Sequence, residues 1–298
     1  MRNAAALPAF ALAAISLIWG YNWVVSKVAL GYAGPITFSA LRFALAPLCL
    51  LPMLLQLRVR MLPSPRHALV AFILGATLAG NFVATFVALQ LGGTGKTAVL
   101  VYSMPFWVLI FARLALHEKL SALQALAVPF ALVGLCVLIA PWSRAAQMLP
   151  SILAVGAGMT WGASVVYIKH LQRRDPVSMI ALNMWQMIAA AATLSLGLTL
   201  VHEAPVVWSG EFIAALLFTA VIATGFGWML FYYALRRMSA GMTSLGTLAT
   251  PIVGVLCAWW QLGERPSALE ASGMLLIAVG LSLLAWNGLR ANARTEAI

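Results

Sequence analysis

This chain of 298 residues is 63% hydrophobic and only 8% charged, whereas about a quarter of the residues of a soluble domain carry charge. The composition excludes a soluble enzyme or binding domain and predicts an all-α integral membrane protein. Its net charge of +11 does not indicate a nucleic-acid partner, because the basic residues form no run and lie singly or in pairs between apolar stretches. The expected partners are the lipid bilayer and a small-molecule substrate, and we expect the chain to act as a monomer.

Ten apolar stretches are long enough to cross a membrane, since about 20 helical residues span a hydrocarbon core of roughly 30 Å. The predicted spans cover residues 8–27, 35–57, 67–90, 95–114, 121–140, 150–168, 177–201, 211–234, 241–262 and 267–287. The first span follows a basic residue, Arg2, and this order of a basic residue and an apolar run resembles a signal peptide. Its apolar run continues through Trp19 to Lys27 and has a counterpart later in the chain, so we predict a retained span.

The basic residues predict which loops are cytoplasmic. If the N-terminus is inside, four of the 18 Lys and Arg fall in outer segments, namely Lys27, Lys96, Arg144 and Arg265. Arg42 lies within a span, and the other 13 fall in inner loops or at the termini. Because cytoplasmic loops carry the excess of Lys and Arg, both termini are predicted to be cytoplasmic, which suits an inner membrane.

The chain also repeats itself. At an offset of 142 residues, Trp19-Gly20 aligns with Trp161-Gly162 and Lys27 aligns with Lys169. At an offset of 146, the aligned pairs include Pro105 with Pro251, Glu118-Lys119 with Glu264-Arg265, and Ser121-Ala122-Leu123 with Ser267-Ala268-Leu269. Because each half has five helices, an odd number, the second half begins on the opposite side of the membrane. The sequence predicts two inverted repeats, residues 1–141 and 142–298, with a substrate site near the midplane between them.

The order of these motifs resembles the ten-helix, EamA-type branch of the drug/metabolite transporter superfamily. The resemblance rests on the paired Trp-Gly, on Leu41-Arg42-Phe43, on the matched prolines and on the Glu-Lys and Glu-Arg that close the fourth and ninth spans. It covers about residues 8–287 and implies a central cavity surrounded by spans one to four and six to nine, with the fifth and tenth peripheral. It also implies export of amino acids or other metabolites, with exporters of aromatic amino acids as the nearest subtype. Asn183 stands where a second Arg42 would fall, so only one half carries the intramembrane charge.

Polar residues form stripes along five predicted spans, as in Asn81, Thr85 and Ala88 of the third. Such stripes are also typical of close helix packing. Packing does not require Asn, Gln or Tyr, and we therefore interpret the stripes as cavity walls. Several Trp lie beside them, and aromatic walls suit a flat or cationic ligand. The predicted substrate-binding residues are Trp19, Asn22, Arg42, Asn81, Tyr102, Trp161, Asn183, Trp185, Thr247 and Thr250.

Arg42 is the residue for which two interpretations stay open. A charge within a span costs on the order of 2.5–3.5 kcal/mol and marks a functional site by default, here a counter-ion for a substrate carboxylate. Arg42 lies only seven residues after Pro35, however, and its side chain could extend outward to the membrane surface or bond helix-end carbonyls.

All acidic residues and histidines lie in loops or at the ends of predicted spans, which indicates transport without a dedicated proton site. The sequence thus favours an exporter of small amphipathic metabolites. Phosphorylated or nucleotide-linked sugars would need several cations in the cavity, and cationic drugs would favour a buried carboxylate. Pro105 and Pro251 are predicted hinges, since a proline removes a helix hydrogen bond, although inert kinks are the alternative.

An enzyme is not expected, because the sequence contains no zinc HExxH pair and no intramembrane Ser/His pair or aspartyl dyad. We therefore predict no catalytic residues. The cysteines Cys49, Cys136 and Cys257 lie within apolar stretches and form no pattern of a disulfide framework or metal site. Neither a metal nor a cofactor is expected.

Overall fold

The computed structural model describes residues 2–56, 64–139, 145–175, 177–235 and 249–295, and within those ranges the regular structure is helical, without strands. In the first half the helices are α1 (Arg2–Ala29), α2 (Pro35–Gln56), α3 (Pro65–Leu91), α4 (Thr94–Val101), α5 (Met104–Ala115) and α6 (Ala122–Ile139). In the second half they are α7 (Ala145–Arg174), α8 (Met179–Leu200), α9 (Gly210–Leu217), a π-helical segment (Phe218–Phe226), α10 (Gly227–Leu235), α11 (Thr250–Leu262) and α12 (Ala268–Thr295).

These helices confirm an all-α membrane protein. Nine helical stretches of the described chain are long and apolar enough to cross a bilayer, counting α4 with α5 as one and α9 to α10 as one. The ninth predicted span, residues 241–262, is described only in its second part, where α11 begins at Thr250. Large apolar side chains such as Phe10, Leu200 and Trp260 are exposed on the helix surfaces, as lipid-facing residues are.

Short polar residues set several helix starts. Ser64, Ser178 and Ser209 precede α3, α8 and α9, and each hydroxyl accepts a hydrogen bond from the backbone N–H three residues later. These bonds satisfy N–H groups that have no partner within the helix. The start of α2 differs, because it is capped from the other half: the carboxylate of Glu203 accepts the N–H groups of Ile36 at 2.9 Å and Thr37 at 2.8 Å.

Most helices of one half pack against helices of the other half, and equivalent helices have equivalent neighbours. Helix α1 packs on α11 and on the π-helical segment and α10, and its counterpart α7 packs on α4, α5 and α3. Helix α2 packs on α8 and the π-helical segment, while α8 packs on α2 and α3. Helices α6 and α12 pack mainly on each other. Each half is therefore interleaved with the other, and the fifth and tenth spans form a peripheral pair.

The repeated Trp-Gly motif marks two close crossings between the halves. A Cβ atom on Gly162 would lie 2.9 Å from the Trp107 Cβ, and one on Gly20 would lie 2.5 Å from the Val253 Cβ. Trp107 and Val253 are themselves equivalent at the offset of 146 residues. The motif is thus explained by packing: each glycine lets the first helix of its half approach the fourth span of the other half.

The fourth predicted span is interrupted. A turn at Tyr102 and Ser103 separates α4 from α5, so Pro105 lies in the first turn of a new helix, where its missing N–H removes no bond. Pro251 occupies the same place in α11. The residues before these helices match as well, with φ −67° and ψ −10° at Ser103 and φ −70° and ψ −19° at Ala249. The hinge role of the two prolines stays a prediction, now centred on the turn before each helix.

Candidate functional site

The π-helical segment Phe218–Phe226 binds two of the predicted site residues. The indole Nε1 of Trp19 donates to the carbonyl oxygen of Ala223 at 2.7 Å. The guanidinium Nε of Arg42 donates to the hydroxyl of Thr224 at 3.0 Å. Since a π-helix is rare and occurs frequently at functional sites, the segment is a natural centre for the candidate site. Sequence reasoning missed this segment, because the polar stripes used to find cavity residues assume the period of an α-helix.

Arg42 is turned into the protein. Only 6% of its surface is exposed, and its guanidinium carbon lies 5.0 Å from the centroid of the Phe82 ring. Among the described residues, its Nη1 has no hydrogen-bond partner and no carboxylate lies within ion-pair distance. This position removes the alternative in which the side chain reaches the membrane surface. Arg42 is a buried cation with one unsatisfied donor.

A second group forms around the break between α4 and α5. Tyr102 is 8% exposed, and its ring meets Trp161 and Trp23 edge to face, with centroids 5.9 and 6.3 Å apart. The Thr250 side chain lies near Tyr102, but its buried Oγ1 makes no hydrogen bond in the described chain. Residues of both halves therefore meet here.

The remaining predicted residues have different surroundings. The Asn81 amide donates to the carbonyl oxygen of Ala157 and to Thr160 Oγ1, the latter at 2.9 Å, and so ties α3 to α7. Within the described chain, Asn22 Oδ1 and Asn183 Nδ2 are buried without a partner. Trp185 packs against apolar clusters of α2, α3 and α8. Thr247 lies outside the described residues.

The structure therefore brings the predicted residues together in two groups. Trp19 and Arg42 share the π-helical segment, and Tyr102, Trp161 and Thr250 share the α4–α5 break. A groove of about 600 Å³ lies elsewhere, between α6 and α12, and is lined by Leu123, Leu275, Ala278, Val279, Ser282, Leu283 and Trp286. None of the predicted binding residues lines that groove, and its apolar wall on the peripheral helix pair suits contact with lipid.

Matched charges at the two ends of the molecule are arranged differently. At one end Glu118 binds Lys169 at 2.9 Å and also contacts Arg173. These ion pairs connect the two halves. These partners, the Lys169 hydrogen bond first, hold the pKa of Glu118 below its usual range, so the contact is present at neutral pH and is lost as pH falls through that lowered pKa.

At the opposite end the equivalent residues, Lys27 and Glu264, bind helix ends instead. Lys27 donates to three carbonyls where α3 ends, among them Gly92 O at 2.9 Å. Glu264 accepts from the backbone N–H and the hydroxyl of Thr94, where α4 begins. Residues that are equivalent in sequence therefore have different partners at the two ends.

Comparison with known proteins supplies the family. The chain is 25% identical over 272 residues to the uncharacterized transporter YoaV of Bacillus subtilis, covering 90% of this chain and 92% of that one. It is 28% identical over 302 residues to the uncharacterized inner membrane transporter YedA of Escherichia coli K12, covering 95% and 93%. It is 24% identical over 278 residues to a probable amino-acid metabolite efflux pump of Salmonella typhimurium, covering 90% and 91%.

A solved structure and a family model match the chain over nearly its whole length, as these relatives do. A crystal structure with 18% sequence identity has the same fold, with a TM-score of 0.66 and coverage of 96% of this chain and 98% of the other. The model of the EamA-like transporter family matches the chain twice, at residues 6–140 and 148–286. Since these two matches account for nearly the whole sequence, the chain is a multi-pass membrane protein that belongs to the EamA-like transporter family.

Proposed function

We propose that this protein exports small amphipathic metabolites that carry a carboxylate, most of all amino acids and among them aromatic ones, across an inner membrane. In this proposal the two halves alternate between inward and outward access around a shared site, and both termini are cytoplasmic. The excess of Lys and Arg in the predicted inner segments supports that orientation. Transport then proceeds down a gradient or by exchange, without a dedicated proton site.

The buried, unpaired charge of Arg42 carries the proposal. A guanidinium in a membrane interior is retained where a partner of opposite charge completes it. Thr224 and the Phe82 ring leave the net charge of Arg42 uncompensated. A substrate carboxylate would supply the missing charge and accept from the free Nη1, because carboxylate oxygens match the fork of guanidinium donors.

Aromatic side chains at Arg42 and along the same π-helical segment support an amphipathic substrate. The Trp19 ring lies within 6.0 Å of Trp228 and Phe231, measured between centroids, and Phe82 lies under Arg42. Such a surface suits the apolar part of an amino acid while the guanidinium binds its carboxylate. The name of the Salmonella relative, a probable amino-acid metabolite efflux pump, points to the same class.

The competing substrates fit the described residues less well. Arg42 is the only charged side chain among the buried residues of the described chain, whereas a phosphorylated or nucleotide-linked sugar would require several cations. A cationic drug would gain from a buried carboxylate, and the buried residues of the described chain include none. Both classes stand as alternatives that transport measurements can separate.

The first experiment is counterflow in proteoliposomes made with the purified protein. Vesicles preloaded with unlabelled phenylalanine should accumulate labelled phenylalanine, and external tryptophan should compete. Phenylalaninamide, which lacks the carboxylate, should compete poorly. Exchange of phosphorylated sugars alone, or of cationic dyes alone, would overturn the proposal.

Arg42→Ala is the matching variant. Because a hydrogen bond to a charged group contributes about 1.5–3 kcal/mol, its loss should raise the phenylalanine concentration for half-maximal exchange about 10- to 100-fold. Arg66→Ala is the control, since the Arg66 side chain is 74% exposed and lies 3.8 Å from Asp175. It should exchange phenylalanine like the wild type. Unchanged exchange in Arg42→Ala would refute the counter-ion role.

A further inference from the structure

The hydroxyl of Thr224 has two partners and only one proton. It donates to the carbonyl oxygen of Thr219 at 2.7 Å, so the oxygen lone pairs are left to accept from the Nε of Arg42 at 3.0 Å. Both threonines are buried, with 4% of Thr224 and none of Thr219 exposed. Since water has little access, the direction of this chain of hydrogen bonds is set by the protein.

The π-helical segment makes this geometry possible. A threonine in an α-helix bonds the carbonyl three or four residues earlier, as Thr77 does to Ile73 and Thr193 to Ala189. Thr224 instead bonds the carbonyl five residues earlier, which is the spacing of a π-helix. An α-helical eighth span would turn this hydroxyl to a different partner.

Three consecutive residues of the segment hold three neighbours. Ala223 accepts from Trp19, Thr224 accepts from Arg42, and Gly225 lies so close to α2 that a Cβ atom there would be 2.4 Å from the Cys49 Cβ. Cys49 and Arg42 are on the same helix, two turns apart, so the close contact at Gly225 fixes α2 against Thr224.

We propose that Thr224 is a positioning residue that fixes the Arg42 guanidinium for recognition of a carboxylate. Its hydroxyl oxygen accepts the hydrogen bond from the Arg42 Nε and so orients the planar guanidinium. The Nη1 group then remains to donate to the ligand. The inference rests on the proposed function, because the ligand of Arg42 is taken to be the carboxylate of the transported amino acid. It adds that discrimination between a carboxylate and its amide depends on a residue that does not touch the substrate.

Thr224→Val tests this directly, because valine keeps the shape of threonine and removes the hydroxyl. Counterflow should require about tenfold more phenylalanine for half-maximal exchange, the effect of losing one hydrogen bond to a charged group, while the maximal rate stays near that of the wild type. The preference for phenylalanine over phenylalaninamide should fall by a similar factor. Thr224→Ser, which retains the hydroxyl, should restore both values.

Thr219→Val is the matched control. Thr219 is equally buried, and its hydroxyl bonds Leu216 O without touching Arg42, while its own carbonyl remains in the variant. Suppose that the wild type prefers the carboxylate and that Arg42→Ala does not. Wild-type affinity in Thr224→Val, or an equal loss of affinity in Thr219→Val, would then overturn this inference but leave the proposed function standing. A wild type without that preference would refute the proposed function and this inference together. Melting temperatures in detergent confirm that each variant is folded.

Discussion

Arg42 shows which properties of a site residue the sequence predicts and which require the structure. Its place within a span predicts a functional charge, but the direction of a long side chain depends on its rotamer and on the rotation of its helix. The structure supplies the direction, toward Phe82 and Thr224. Thr224 could not be found from helical stripes, because those assume 3.6 residues per turn and the eighth span is π-helical at this point.

Other site predictions at this scale depend on contacts between distant segments. Asn81 has the polar character expected of a cavity wall, yet its amide is occupied by α7. Asn22 and Asn183 keep a buried amide atom without a described partner. Sequence alone cannot separate these cases, since the partner of an amide lies on a helix that is remote in the chain.

Trp19 offers a test of the π-helical segment at the scale of one bond. Trp19→Phe keeps an aromatic ring but removes the N–H that bonds Ala223 O. We expect it to lower the free energy of unfolding by about 1 kcal/mol, the usual contribution of one such bond. Thermal unfolding in detergent measures this. Trp260→Phe is the control, because Trp260 is 86% exposed, and it should leave the melting temperature unchanged. Equal melting of both variants would contradict the assigned bond.

At the scale of helices, apolar periodicity and charge predicted nearly all the elements. The limits of α2 and α3 agree with prediction to within two residues, because proline and serine start them. The break at Tyr102 and Ser103 was not foreseen, because the residues on both sides are uniformly apolar and Pro105 suggested a bend in a continuous helix. The break places Leu100 O and Val101 O near Gly158, where the absence of a side chain leaves them room.

The Trp-Gly crossings predict an unequal response to two glycine substitutions in α7. A methyl group in Gly162→Ala would lie 2.9 Å from the Trp107 Cβ and 3.2 Å from the Val108 nitrogen. Since overpacking a tight contact costs about 1–3 kcal/mol, we expect a clearly lower melting temperature.

Gly156→Ala is the control on the same helix, because no atom of another described helix lies within 4 Å of the point that its Cβ would occupy. It should melt at or slightly above the wild-type temperature, since alanine favours a helix over glycine. A stable Gly162→Ala with full transport would contradict the close crossing as the reason for the motif.

For the whole molecule, the repeat predicted two halves that share one site, but not that most helices of one half pack against helices of the other. It could not predict that equivalent ends differ, because one sequence serves both arrangements. Glu118 joins Lys169 across the halves at one end, whereas Lys27 and Glu264 bind helix ends at the other. Alternating access would require such a difference between equivalent residues. In each conformation one end of the molecule would make the contacts that the other end has lost.

Distances across both ends of one preparation test alternating access most directly. In a variant without the three cysteines, spin labels at residues 90 and 261 report on the Lys27 end, and labels at residues 115 and 174 report on the Glu118 end. The four native residues, Gln90, Gln261, Ala115 and Arg174, are exposed. Adding phenylalanine to proteoliposomes should shift the two distance distributions in opposite directions, one shortening as the other lengthens. Distances that stay fixed at both ends, or that change together in the same direction, would contradict the exchange of the two halves.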